Sequence, residues 1–151
     1  MKNWIMMTLA LMAFSLLPSP GTELGELRPV SVLAVETEDK QIRLSTDTMD
    51  VGVGETLDGA LQNLEETSSG HLFLDTVENL VLTERSRFLL PQLKAILRPG
   101  VTVCIAESEI DLETVPEFLH THVPSHHLSD TEESTPLQKL TCSEERYLLG
   151  K

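Results

Sequence analysis

PVSVLAVETEDKQIRLSTDTM, residues 29–49, decides how the rest of the chain is read. PVSVLAVE (29–36) is apolar on both alternating faces, the mark of a strand covered on both sides. ETEDK (36–40) is a polar turn. QIRLSTDTM (41–49) alternates: Ile42 and Leu44 point one way, Gln41, Arg43 and Ser45 the other, as in a half-exposed strand. The two segments predict an antiparallel hairpin.

Downstream, GVGETLDGALQNLEETSSG (52–70) reads as a loop followed by a helix. Leu57, Ala60, Leu61 and Leu64 repeat at helical spacing and make one apolar face. Thr56 suits the N-cap, Asp58 the positive end of the dipole, and Gly70 the stop. Within HLFLDTVENLVLT (71–83) a strand is expected from about Asn79 to Thr83, after an irregular lead-in. ERSRFLLPQLKAILRPG (84–100) is helical, with Leu89, Leu90, Leu93, Ile96 and Leu97 apolar and Pro91 in its first turn or splitting it. VTVCIA (101–106) is a short buried strand. A further helix then follows, in which Thr114 and Glu117 have the spacing of a capping box, Pro116 falls in the first turn, and Val115, Phe118 and Leu119 face the core. Residues 121–136 are polar and loop-like, and a weak strand is expected near 146–149. The order ββαβαβα(β) places the chain in the α/β class (mixed α+β), a single domain with helices packed on a mixed sheet.

Composition narrows the function. Aromatics are 4% of the 151 residues, so the core rests on Val, Leu and Ile. The formal net charge is −13, which repels nucleic-acid phosphate and anionic lipid. A nucleic-acid partner is therefore excluded. Between Arg98 and Lys139 there is no Lys or Arg, but there are eight acids: Glu107, Glu109, Asp111, Glu113, Glu117, Asp130, Glu132 and Glu133. This stretch is a solvated face, a docking surface for a basic partner, or a weak cation site.

MKNWIMMTLALMAFSLLPSPG (1–21) has Lys2, an apolar run from Trp4 to Leu17, and then small residues and prolines. It fits a signal peptide cleaved near Gly21, or an N-terminal membrane tether through residues 4–17. The run is short for a span of about 20 residues. Residues 22–28 read as an exposed leader, 29–121 as the domain, and 122–151 as a polar histidine-rich and acidic extension. The expected location is exported: extracytoplasmic or membrane-associated, at a spore or cell envelope. Export gives weight to Cys104 and Cys142 as a candidate disulfide, worth about 3–4 kcal/mol in the loop-entropy account. The alternative keeps Cys104 as a small, inert, buried residue.

The search for chemistry yields few candidates. GVGE (52–55) lacks the G-K-[ST] of a phosphate loop. Ser69, His71 and Asp75 are too close in sequence to converge as a triad, and Glu65-Glu66 lies on a solvated helix face. HTHVPSHH (120–127) concentrates four histidines: His120, His122, His126 and His127. A zinc site needs three or four converging ligands, with an acid such as Asp130 completing the shell. Pro124 breaks the segment, and His126 and His127 are neighbours that diverge, so a polar linker is the simpler reading. These histidines also raise the idea of a loop that tightens in mild acid. No catalytic residue and no cofactor are expected.

The hairpin, a G-E-T-L loop (Gly54, Glu55, Thr56, Leu57), an A-L-x-N-L helix (Ala60, Leu61, Asn63, Leu64) and an apolar strand ending at Glu84 occur in that order. Over residues 29–121 this order resembles the N-terminal domain of Ger(x)C proteins, the C subunits of spore germinant receptors in endospore-forming bacteria. The chain departs from that family in lacking a lipobox cysteine, in carrying Asp75-Thr76 where many members have Gly-His, and in being short for the family's further domains. The resemblance implies a stand-alone, non-enzymatic, exported domain with a protein partner. The alternative is an exported metal-binding protein using the His120–His127 loop; a small hydrolase comes third.

Overall fold

The computed structural model describes residues 27–107, 109, 111–143 and 146–150. The signal-peptide segment and leader residues 22–26 lie outside the described residues. The expected hairpin forms, as β2 (Val32–Glu38) and β3 (Gln41–Thr46). β2 runs two residues further than its apolar pattern, so the turn shrinks to Asp39-Lys40. Both turn residues have positive φ, 48° and 69°. That is the two-residue geometry whose twist matches paired strands.

β2 pairs in parallel with β6 (Asn79–Thr83), and β6 with β7 (Thr102–Ala106), both within the segments expected for them. The full sheet is mixed and seven-stranded, in the order β4-β3-β2-β6-β7-β8-β9. Two of its members, β4 and β8, correct the sequence reading, while the weak last strand forms where it is expected. Val51–Gly54 is a strand, β4, antiparallel to β3, where a loop was expected. Lys139–Ser143 is β8, and the weak last strand is β9 (Arg146–Gly150). β4 has four residues, two of them glycine, too few for a readable alternation, and β8 (KLTCS) sets Leu140 and Cys142 among polar residues over only five positions. Part of the leader is also a strand: β1 (Leu27–Pro29) pairs in parallel with β5 (His71–Phe73) as a separate two-stranded ribbon.

Helix α1 (Leu57–Thr67) starts as expected, with Thr56 Oγ1 accepting from the Gly59 amide at 3.1 Å. It ends at Ser68 rather than Gly70, because the Ser68 amide already reaches the Leu64 carbonyl. The segment 84–100 opens with a 3-10 turn (Glu84–Leu89). α2 (Leu90–Ile96) follows, with Pro91 in its first turn. α3 (Val115–Thr121) carries Pro116 as expected. The capping box does not form. Thr114 has helical dihedrals, and its hydroxyl turns back to Asp111 at 3.1 Å.

The two faces of the sheet are covered unequally. On the first, Leu33, Val35, Ile42, Leu44, Leu80, Leu82, Val103 and Ile105 pack against Leu57, Ala60 and Leu64 of α1 and Leu90 and Leu93 of α2. On the second, Val32, Ala34, Val81, Cys104 and Leu140 meet Val115 and Leu119 of α3, with Phe118 half-buried beside them. Among the described residues no aromatic side chain is fully buried; Phe118, expected to face the core, packs against it half-buried.

α1 lies almost in contact with β4 because β4 presents glycines to it. A Cβ at Gly52 would come within 2.3 Å of the Ala60 carbonyl oxygen and 2.5 Å of Leu64 Cβ; one at Gly54 would come within 2.4 Å of the Ala60 amide nitrogen. The obstructions are largely backbone and cannot swing away. Gly52→Ala and Gly54→Ala should each destabilise the domain by about 1–3 kcal/mol or more through overpacking. At Gly100 a Cβ meets nothing within 4 Å, so Gly100→Ala should stay within about 0.5 kcal/mol of the parent in urea unfolding.

Candidate functional site

α3 is seven residues long and reaches only part of the second face. β2, β3 and β4 continue beyond it, and side chains alternate along a strand. Most of their second-face residues are therefore left without a covering layer: Glu36 and Glu38 on β2, Arg43 on β3 and Val53 on β4, while Ser45 is buried and Val51 half-buried. The segment leading into α3 stands over this surface as a wall. Between them lies a cleft of about 700 Å³, floored by Ala34 and lined by Glu36, Glu38, Glu109, Asp111 and Arg43 together with Met49, Leu112, Cys142 and Tyr147. Four carboxylates thus share the cleft with one guanidinium.

Two structural ties fix its walls. Tyr147 packs on Phe118 with ring centroids 5.6 Å apart, and its hydroxyl accepts from the Asp111 amide at 2.9 Å. Asp111 in turn accepts from the Glu113 amide at 3.0 Å, which fixes the end of the lead-in next to α3. At the other end of the cleft, the turn after β3 is held by a polar net. Thr48 Oγ1 donates to Asp50 at 2.6 Å and lies 2.8 Å from Thr46 Oγ1. The Ser31 amide donates to the Asp47 carboxylate at 3.1 Å, and Arg28 pairs with Asp50 at 3.2 Å. This net holds Met49 at φ 65° with 60% of its surface exposed. A β-unbranched but bulky residue in the left-handed region costs free energy, and it persists only where its surroundings hold it there.

The histidines are dispersed. His120 is exposed on α3. The His122 ring stacks on Phe118 at 4.4 Å, with Nδ1 2.8 Å from Thr121 Oγ1. His127 Nδ1 lies 3.2 Å from the Gly100 carbonyl. The His126 carbonyl accepts from the Val103 amide and the Leu128 amide donates to the Val101 carbonyl, so residues 126–128 continue the edge of β7 below β8. Among the described residues no three His, Cys, Asp or Glu side chains gather as a metal site requires. The segment read as a polar linker is a structural crossing, taking the chain from α3 on one face to Leu128 and Leu137 on the other.

The remaining sequence candidates are also separated. Cys104 and Cys142 are not bonded to each other. In the parallel β7–β8 register Ala106 faces Leu140, so the two cysteines stand four positions apart, about 13 Å along the strands. A disulfide requires Cα atoms within roughly 7 Å. Ser69 Oγ accepts from Arg28, while His71 is exposed on β5 and Asp75 sits in a 3-10 turn. Glu66 accepts from Gln62 on the solvated side of α1. Sequence reasoning missed Glu36, Glu38, Met49 and Tyr147 as cleft residues. The signal available was the outward set of the hairpin, which had no predicted cover.

At the head of β8, Lys139 donates to Glu107 and Thr141 donates to its other carboxylate oxygen. The Lys139 hydrogen bond, then that of Thr141, hold the Glu107 carboxyl below the usual range, and Glu107 holds Lys139 above its own. A depressed carboxylate contributes stability above its unfolded pKa and loses it as pH falls through the folded value. A raised lysine contributes below its unfolded pKa and loses it as pH rises through the folded value. The pair therefore acts between those limits and weakly, since both groups are exposed. Carboxyl NMR titration of Lys139→Met should show the Glu107 pKa rising toward its ordinary value. Burial pushes the Cys104 thiol up to about 12; intact mass after iodoacetamide at neutral pH should show Cys104 modified only when the chain is unfolded.

Among the described residues no helix is long and apolar enough to cross a membrane; the apolar run 4–17 lies outside them. No family model, no curated protein and no solved structure matches the chain.

Proposed function

We propose that this chain is an exported, non-enzymatic binding domain that works through protein–protein contact at a spore or cell envelope. The observation that carries the reading is the unequal cover of the sheet. One face is closed by two helices, while half of the other is left as a cleft whose walls are fixed by Tyr147–Asp111 and by the net around Asp50. A rigid, preformed concavity with an exposed methionine at its rim is suited to binding. Two sequence features support the setting: the N-terminal apolar run, and the element order resembling the Ger(x)C N-terminal domain. The metal-binding alternative has less support, because the His122 and His127 rings engage different parts of the fold and no three ligands gather among the described residues.

The test uses the full, epitope-tagged chain in a sporulating, endospore-forming bacterium, with a photo-crosslinking residue at Met49 or, on the opposite face, at Glu66. The expected outcome is recovery in the envelope or extracytoplasmic fraction, with a discrete adduct from position 49 and none from position 66. Recovery in the cytoplasm, or the same adducts from both positions, overturns the proposal.

A further inference from the structure

Resting on that reading, we infer that the occupant of the cleft is an extended cationic polypeptide segment. Its basic side chains would meet Glu36, Glu38 and Glu109, and an apolar side chain would lie against Met49.

Charge favours such an occupant. The cleft sets four carboxylates against Arg43, in a chain of net charge −13. One wall belongs to the stretch between Arg98 and Lys139 that has no basic residue. Polyanions and anionic lipid surfaces are repelled, and a basic segment is drawn in. The carboxylates come from two opposite walls, and no three of them gather as a metal would require among the described residues. That spacing suits several cationic groups strung along a chain better than one compact ion.

The route left open at the sheet edge favours it as well. The neighbouring edge strand, β4, is not available for strand addition. Its Val53 amide donates to Asn63 Oδ1 at 2.9 Å, and its Val51 carbonyl accepts from Thr67 Oγ1 at 2.9 Å. These two side chains of α1 occupy groups that an added strand would use. A partner arriving at this end of the sheet meets the open face instead. There Met49 is presented, at 60% exposure, by a turn whose hydrogen bonds hold it against its backbone preference. Such an exposed, adaptable thioether is a ready apolar anchor.

The probes are two fluorescein-labelled ten-residue peptides, one alternating Lys and Val and one alternating Glu and Val. Binding to the full chain is followed by fluorescence anisotropy at about 0.02 M and 0.15 M salt. The Lys/Val peptide is expected to bind roughly tenfold or more tightly than the Glu/Val peptide at low salt, with the gap narrowing at high salt. Glu36→Gln/Glu38→Gln should weaken it about fivefold or more, and Met49→Ser should weaken it too, while Glu65→Gln/Glu66→Gln on α1 stays within about twofold. All variants should keep the parent's thermal unfolding midpoint. Equal loss from the two double variants would mean diffuse attraction to an acidic surface and would overturn the inference. So would a lack of discrimination between the peptides. If position 49 still yields its discrete envelope adduct, that failure strikes the cationic class alone; if the adduct is also missing, the binding function falls with it.

Discussion

The parallel strands β2, β6 and β7 are buried on both faces, and the rest of the architecture follows from covering them. A parallel pair cannot be closed by a tight turn, so each step across the sheet needs a crossover. Those crossovers supply the cover. The connection from β2 to β6 brings α1, and the one from β6 to β7 brings α2, both to the same face. Only the connection from β7 to β8 brings a helix to the other face, and that helix is two turns long. The second face is closed over Val32, Val81 and Cys104, where the sheet would otherwise expose its most apolar strands, and left open over the charged hairpin.

The open half is a consequence of how the sheet grows at its β4 edge. β4 is thin because Gly52 and Gly54 let α1 approach the backbone directly. α1 then does two things: it buries Leu57, Ala60 and Leu64, and it takes up the outward polar groups of β4 through Asn63 and Thr67. The edge is thereby blocked without a further strand. Arg43 and Val53, on the far side of β3 and β4, remain exposed around a preformed concavity. The function proposed for the chain depends on that asymmetry, not on any reactive group.

The histidine-rich segment illustrates how composition and placement diverge. HTHVPSHH has the residues of a metal site but the geometry of a crossing. Pro124 is buried, the His122 ring lies flat on Phe118, and the backbone of residues 126–128 completes the edge of β7. The His122 and His127 rings are set by separate neighbours, Phe118 and the Gly100 carbonyl. Cysteine placement follows the same rule, since the β7–β8 register decides the separation of Cys104 and Cys142, and spacing along the chain carries no information about register.

By itself, the sequence determined the elements with the clearest apolar pattern: the hairpin, α1 with its Thr56 cap, β6, β7, and a core resting on Val, Leu and Ile. Those are fixed by side-chain alternation and local capping, which act over a few residues. Four-residue β4, the strand character of Leu27–Pro29, the absent Thr114 cap and the shape of the cleft were decided only in the tertiary structure. Each depends on packing against another element: α1 folding back on Gly52 and Gly54, β5 beside β1, Asp111 held by Tyr147, and α3 ending before it reaches β3. Local pattern states which face of a strand is apolar; only packing states how much of that face another layer will reach.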